Sequence, residues 1–367
     1  MATRWFLCLF TLLVFHTENV SAQTNLSARQ KKVVDQAVGQ QMDRQKAVGL
    51  AVGIIRDGKV VYVKGYGFAD RENQIPASTK TMFRWASISK TLTAIAAMQL
   101  VEKGELDLNA DVRTLVPEFP DTGTPITVWD LLCHQSGIVH YSNGPVVRTQ
   151  RSYDSPHPFE SVIIALDTFK DSPLLFKPRE KYSYSTHAYI LLSAVVERAG
   201  QKRFTDQVSE RIIQPLKLDS LQPDYQWIKI DNRAVGYKLT DRSPMPSTDT
   251  DVSWKLGGGG YISTVGDLAN YAAAIVNGKL LKKETWSLVS TVQSTSDGKP
   301  TPLGLGFFVD GAGPKLRLAH DGSQEKAKTR MVLYPIQRSA VVVMSNSENV
   351  NPGEFTTAIF GALSQTE

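Results

Sequence analysis

Between Ser87 and Glu102 the chain carries a segment that has to be buried on every side. Ile88, Leu92, Ile95, Met98 and Val101 step by three and four, the spacing of one helical face, and Ala94, Ala96, Ala97 and Leu100 make the other faces apolar too. A helix of that kind is stable only inside a domain large enough to surround it. The 367 residues supply one large domain or two interleaved lobes. With 42% apolar, 21% charged and 9% aromatic residues, the composition is globular and excludes collagen, a coiled coil or general disorder.

Around this helix the pattern changes period. Val33, Val34, Ala37 and Val38, within Leu26 to Ala47, have helical spacing and a long polar face, which predicts a surface helix. Gly49 to Ile55 and Val60 to Gly65 are β-branched runs on either side of Arg56-Asp57-Gly58-Lys59, a hairpin signal. From residue 107 to 218, helical pieces (Thr127 to His134, Ala188 to Gly200, Phe204 to Ile213) alternate with long polar connections such as Arg148 to His157. Beyond them, Thr264 to Asn277 and Lys283 to Val292 read as helices. Leu305 to Val309, Leu316 to His320, Arg330 to Tyr334 and Ala340 to Ser345 read as strands, and Phe355 to Leu363 as a closing helix. The expected architecture is α+β, an antiparallel sheet flanked by helices. Residues 23–106 and 219–367 form a sheet lobe, 107–218 an inserted, mostly helical lobe, and a catalytic cleft lies between them.

The N-terminus reads as an address rather than as structure. Arg4, an apolar run from Trp5 to Phe15, and Val20-Ser21-Ala22 have the order of a secretory signal peptide cleaved after Ala22, with an uncleaved anchor or a mitochondrial presequence as the alternatives. The run is too short to span a bilayer, so a secreted or periplasmic protein with no stable membrane span is expected. Cleavage removes Cys8 and leaves Cys133, so no internal disulfide can form and the core alone must hold the fold. Asn25-Leu26-Ser27 is a glycosylation sequon. The net charge of +5 is dispersed, with no basic stripe interleaved with aromatics, which argues against a nucleic-acid partner.

Chemistry concentrates in three places. Ser87-Ile88-Ser89-Lys90 sets a hydroxyl and an ammonium on one side of a helix start, where backbone N–H groups are unpaired. A desolvated lysine can take the serine proton, whereas a solvated one would leave Ser87 a plain cap. Lys181-Tyr182-Ser183-Tyr184-Ser185-Thr186 supplies a phenol, which an adjacent ammonium would make more acidic, or else a tyrosine packed between lobes. Ala319-His320-Asp321-Gly322-Ser323, at a strand end, offers backbone to an acyl chain and to an oxyanion, or is an ordinary turn. His134, His140 and His157 could be imagined around zinc, but no Cys pair or His-Glu-x-x-His helix supports a metal, and His134 reads better as a structural hydrogen-bonding group. The four glycines from Gly257 lack the spacing of a phosphate loop and read as a turn.

In order and identity, Ser87-x-x-Lys90, Tyr184-Ser185-Thr186 and His320-Asp321-Gly322 resemble the three motifs of penicillin-binding proteins and serine β-lactamases, in the class C and D-alanyl-D-alanine peptidase branch. Leu131 to Gly137 and Gly257 to Asp267 match two further family segments. Val116 to Pro120, Phe176 to Pro178 and Ser263 to Leu268 look closest to the β-lactamase-like serine peptidase of animal mitochondria and its bacterial relatives. The resemblance implies Ser87 as nucleophile, Lys90 as base or electrostatic partner, Tyr184 as proton shuttle, and Ser87 and Ser323 N–H groups as oxyanion hole. His320, Gly322 and Thr186 would flank the substrate, without metal or organic cofactor. Thr186 stands where the family usually has Asn, and His320 where good β-lactamases have Lys. Both departures favour a peptidase or esterase over a true β-lactamase; a peptidase acting on a peptide or small acyl substrate is expected, with a small-ester esterase or weak β-lactamase as the alternative. A non-catalytic binding or scaffold homologue is the alternative of another class.

Overall fold

The computed structural model describes residues 25–241 and 243–366, so the signal-peptide reading of residues 1–22 lies outside them. In chain order, α1 (Ala28–Gln45) leads into β1 (Gly49–Arg56) and β2 (Lys59–Asp70), and β3 (Ile75–Pro76) and β4 (Phe83–Arg84) precede α2 (Ser89–Glu102). The middle holds α3 (Val128–Leu132), α4 (Thr186–Ala199), α5 (Phe204–Val208) and α6 (Gln214–Leu216), then the short strands β5 (Gln222–Pro223), β6 (Tyr237–Leu239) and β7 (Pro244–Pro246). Next come α7 (Leu256–Gly259), β8 (Tyr261–Ser263), α8 (Val265–Val276) and α9 (Lys283–Val289). The chain closes with β9 (Phe308–Asp310), β10 (Arg317–Gln324), β11 (Ala327–Tyr334), β12 (Ser339–Ser345) and α10 (Pro352–Ser364).

Seven strands form one antiparallel sheet in the order β3-β2-β1-β12-β11-β10-β9. Its centre joins the two ends of the sequence, with Ala51 opposite Met344 and Gly53 opposite Val342. The hairpin turns through Asp57 (φ 50°) and Gly58 (φ 74°), both left-handed, which matches the right-handed twist of its strands. Helices cover both faces, which is why the central strands β1 and β12 are apolar on both faces rather than alternating. Leu50, Val52, Ile54, Val341 and Val343 pack under α1 and α10 through Val34, Val38, Phe355 and Ile359. Ala51, Ile55, Val342 and Met344 face the larger core that holds α2, α4 and α8. Gly53 lets α8 close down, since a Cβ there would come within 2.8 Å of Ala269 Cβ. Helix α2 is buried on all sides, as its composition demands.

Several expected boundaries move. Helix α2 begins at Ser89, and Ser87 sits in a single 3-10 turn, Ala86–Ile88, ahead of it. Strand β10 does not end at His320 but runs through the whole third motif to Gln324, because β11 pairs with it residue by residue as far as Ala327. Strand β9 is confined to Phe308–Asp310, since the chain bends at Gly306 (φ 90°), packed against Ala94. The expected helical character thins out between Cys133 and Ser185. Only two 3-10 turns form there, Pro158–Glu160 and Ile164–Thr168, and Pro145, Pro156, Pro173 and Pro178 interrupt the rest.

Candidate active site

The backbone is clamped before it reaches Ser87. Arg84 is buried and donates from Nε to Asp224 Oδ2 at 2.5 Å, while Arg233 pairs with the other carboxylate oxygen. Trp85 Nε1 donates to Ser263 Oγ at 2.7 Å, and Thr329 Oγ1 donates to Trp85 O at 2.9 Å. Ala86 then takes a left-handed conformation (φ 49°), a cost of about 1–2 kcal/mol for a residue with a Cβ. Gly322 of β10 lies against this turn. A side chain there would collide with Trp85 O and Thr329 Oγ1, and Ala86 Cβ is 3.1 Å from where its Cβ would stand. The glycine of the third motif is thus a packing requirement that holds β10 beside Ser87.

One turn on, Lys90 is completely buried. Its Nζ lies 3.2 Å from Ser87 Oγ, 3.0 Å from Thr186 Oγ1 and 2.6 Å from Gly258 O. Among the described residues no carboxylate pairs with it. Burial, helped by the charge of Lys255, holds the Lys90 ammonium well below the ordinary lysine range. A neutral amine has two N–H groups and one lone pair. In the neutral form, Gly258 O, which can only accept, and Thr186 Oγ1 can take the two N–H groups, which would leave the lone pair toward the Ser87 hydroxyl.

Tyr184 reaches the same hydroxyl from the opposite wall and hydrogen-bonds with Ser87. The expected rise in its acidity from an adjacent ammonium does not occur. Burial pushes the phenol well above its usual range, and the bond to Ser87 only partly opposes it. Tyr184 therefore stays protonated. Its ring lies 4.3 Å from that of His134, whose Nδ1 accepts the Ser185 N–H at 3.1 Å, while His140 Nδ1 accepts the Thr186 N–H at 3.0 Å. These two histidines fix the turn into α4, and His157 stacks on Trp227 instead of joining them.

On the sheet side, His320 is buried and its Nδ1–H donates to Asp321 O at 2.8 Å, which leaves Nε2 with the lone pair. Burial, then the charge of Lys90, holds it down to about 3, so it contributes no positive charge near neutral pH. Ser323 is exposed and accepts from Lys328 Nζ at 2.6 Å. Thr186 is buried, and its hydroxyl accepts from Lys90 Nζ and hydrogen-bonds with Tyr141. Ser87, Lys90, Tyr184 and Thr186 thus converge, with Gly322 and Ser323 on the neighbouring strand.

Sequence reasoning missed Gly258 and Lys255. The glycine run is not a plain turn: α7 packs against α2 and α4, and a Cβ on Gly258 would stand 2.7 Å from Thr186 Cγ2 and 3.7 Å from Lys90 Nζ. The usable signal was chemical: a buried amine needs oxygen acceptors, and only backbone without a side chain could approach so closely.

A helix-flanked antiparallel sheet holding a partly buried serine and a buried lysine beside β10 defines a protein of β-lactamase-like α+β fold. The chain belongs to the Beta-lactamase family, whose sequence profile matches residues 34–365. It is 31% identical over 299 residues to the human mitochondrial serine beta-lactamase-like protein LACTB, covering 64% of this chain and 54% of that one. The chain thus spans about half the length of that relative. EstCE1, a hydrolase with promiscuous acyltransferase activity, matches in structure with a TM-score of 0.77 at 23% identity, over 91% of this chain and 98% of its own. The D-amino acid amidase of Ochrobactrum anthropi matches with a TM-score of 0.77 at 18% identity, over 92% and 99%. At such identities these two bear on the fold alone.

Proposed function

We propose that the protein is a serine hydrolase working through an acyl-serine on Ser87, and that its substrates are peptides. The observation that supports this most directly is the setting of Lys90, whose Nζ is buried 3.2 Å from Ser87 Oγ with only Gly258 O and Thr186 Oγ1 as its other hydrogen-bond partners among the described residues, an arrangement in which the neutral amine can turn its lone pair to Ser87. In the proposed reaction Ser87 Oγ attacks the substrate carbonyl carbon and its proton passes to Lys90 Nζ. Backbone N–H groups of Ser87 and Ser323 hold the oxyanion. The C–N bond breaks as the amine takes a proton, relayed from Lys90 through the Tyr184 hydroxyl. Water then cleaves the acyl ester, giving the acid and free Ser87. A phenol that stays protonated suits an amine leaving group, which must be protonated, better than an ester's alkoxide, and a neutral His320 gives no charge to hold a penicillin carboxylate. An esterase or weak β-lactamase uses the same steps.

The test is intact mass after incubation with a fluorophosphonate and, separately, a penicillin, with Ser87→Ala as control. A fluorophosphonate adduct that needs Ser87 is expected. A persistent penicillin adduct indicates a peptidase-like site, and a transient one indicates β-lactam turnover. A folded protein that gains no mass from either reagent overturns the reading in favour of a scaffold. Residues 1–22 we read as an export signal to the periplasm or exterior, with the mature N-terminus expected at Gln23 by mass spectrometry of the exported protein.

A further inference from the structure

Beside Ser323 the cleft opens into a cavity of about 540 Å³, and Lys255 lines it together with Tyr141, Trp254, Arg148 and Lys328. Lys255 belongs to the 3-10 turn Ser253–Lys255 that feeds directly into α7, the helix whose Gly258 carbonyl holds Lys90. Its residue is only 6% exposed, yet among the described residues its ammonium makes no hydrogen bond and no ion pair. It lies over two aromatic rings, Tyr141 at 5.6 Å and Trp254 at 5.4 Å. Glu325, exposed at the rim, attracts it from beyond ion-pair distance, and Arg84 opposes it. Two other rim carboxylates are engaged elsewhere. Asp251 accepts from Ser253 N and Oγ, both at 2.9 Å, and Glu348 accepts from Lys326 N at 2.9 Å and from Ser247.

A buried cation without a counter-ion is costly to keep and marks a place where an anion is received. We infer that Lys255 binds a carboxylate on the substrate, so that the acyl donors this site prefers carry a negative charge placed in the cavity beside Ser323. The neutral His320 leaves that task open, and Lys255 performs it from the other side of the cleft. Arg148 and Lys328 add positive potential at the mouth, the rings of Tyr141 and Trp254 flank the ammonium, and a desolvated ammonium gains most from a partner of opposite charge.

The inference rests on the acyl-serine reading, and its experiment separates the two. The ratio of kcat/KM for mono-p-nitrophenyl glutarate to that for p-nitrophenyl butyrate is measured in wild type, Lys255→Met, Lys255→Arg and Glu325→Gln, each checked for folding by thermal melt. The effect of the Lys255 charge on Lys90 in the free enzyme is common to both esters and cancels in the ratio, which then reads what the substrate's own carboxylate adds. The Met variant is expected to lower the ratio about thirtyfold, the Arg variant to retain most of it, and Glu325→Gln to raise it. Binding of glutarate itself, by calorimetry, is expected in wild type and lost in Lys255→Met. Glutarate binding through Lys255 with neither ester hydrolysed sustains the subsite and refutes the acyl-serine reading. Hydrolysis with a ratio unchanged in Lys255→Met overturns the subsite and leaves the hydrolase standing.

Discussion

Thr186→Val isolates the claim that two acceptors aim the Lys90 lone pair. The substitution keeps the shape of the side chain and removes one oxygen, the one 3.0 Å from Nζ. The other two partners of Nζ are fixed, with Gly258 O 2.6 Å away and Ser87 Oγ on the third side, while Tyr141 also hydrogen-bonds with the Thr186 side chain. One N–H of a fully buried amine is then left unsatisfied, which costs about 1–3 kcal/mol. For a chain of this size that lowers the melting midpoint by about 2–6 °C, at about 2 °C per kcal/mol. The freed amine regains a hydrogen bond by turning an N–H toward Ser87, so its lone pair no longer meets the hydroxyl proton. A well-placed general base contributes about 10²–10⁴ in rate. Losing its direction but not its presence should slow fluorophosphonate labelling of Ser87 about 10–100-fold. Thr186→Ser, which restores the oxygen, should recover most of that rate. Labelling within twofold of wild type in the Val variant, despite a lower midpoint, would show that the hydroxyl only supports the fold and that the lone pair is not set by it.

Tyr184→Phe keeps the ring against His134 and removes the proton relay, so an anilide should lose about 10²–10⁴ in kcat while a p-nitrophenyl ester, whose leaving group needs no proton, loses little; equal losses on both refute the relay. Gly322→Ala should lower the melting midpoint by the equivalent of about 1–3 kcal/mol of overpacking and abolish labelling, because the new methyl collides with Trp85 O; full labelling would show that β10 need not touch the Ser87 turn. Lys90→Met removes a group whose folded pKa is depressed. Between that depressed value and about 10.4 the unfolded chain binds the proton that the folded chain has shed, so wild type gains stability as pH rises through this window. The melting midpoint of Lys90→Met relative to wild type should therefore fall from pH 7 to pH 10, and a flat difference refutes a neutral Lys90.

What could be read from the sequence was local. The spacing of Ile88, Leu92, Ile95 and Met98 fixed a buried helix because burial on all faces is written in one segment, and Asp57-Gly58 fixed a hairpin because the turn's left-handed residues are its own signal. Ser87 and Lys90 were legible for the same reason, three residues apart. The backbone acceptor of Lys90 was not, since Gly258 lies 168 residues downstream and contributes only a carbonyl. The direction of the Tyr184 shift was misjudged on the same account: an ammonium beside a phenol lowers its pKa, but burial silences the ammonium and desolvates the phenol together. The stretch from Cys133 to Ser185 resisted periodicity because it is held by side-chain contacts to backbone, such as His134 to Ser185 and His140 to Thr186, which leave no periodic trace.

The two buried lysines are coupled, and the coupling carries a sign. Lys255 contributes to the depression of Lys90, whereas nothing comparable raises it. A carboxylate seated on Lys255 would cancel that push and add an attraction of its own, and both effects raise the Lys90 pKa. The anion would thus make the amine more basic as the substrate arrives, strengthening its pull on the Ser87 proton at the expense of the fraction left neutral. The pH midpoint of Ser87 labelling by a small neutral fluorophosphonate should therefore move upward when glutarate is present. In Lys255→Met the midpoint should already lie higher, and glutarate should not move it further, so that the two perturbations are non-additive in the manner of a double-mutant cycle. An equal upward shift by glutarate in both proteins would place the anion elsewhere and break the link between the cavity and the base.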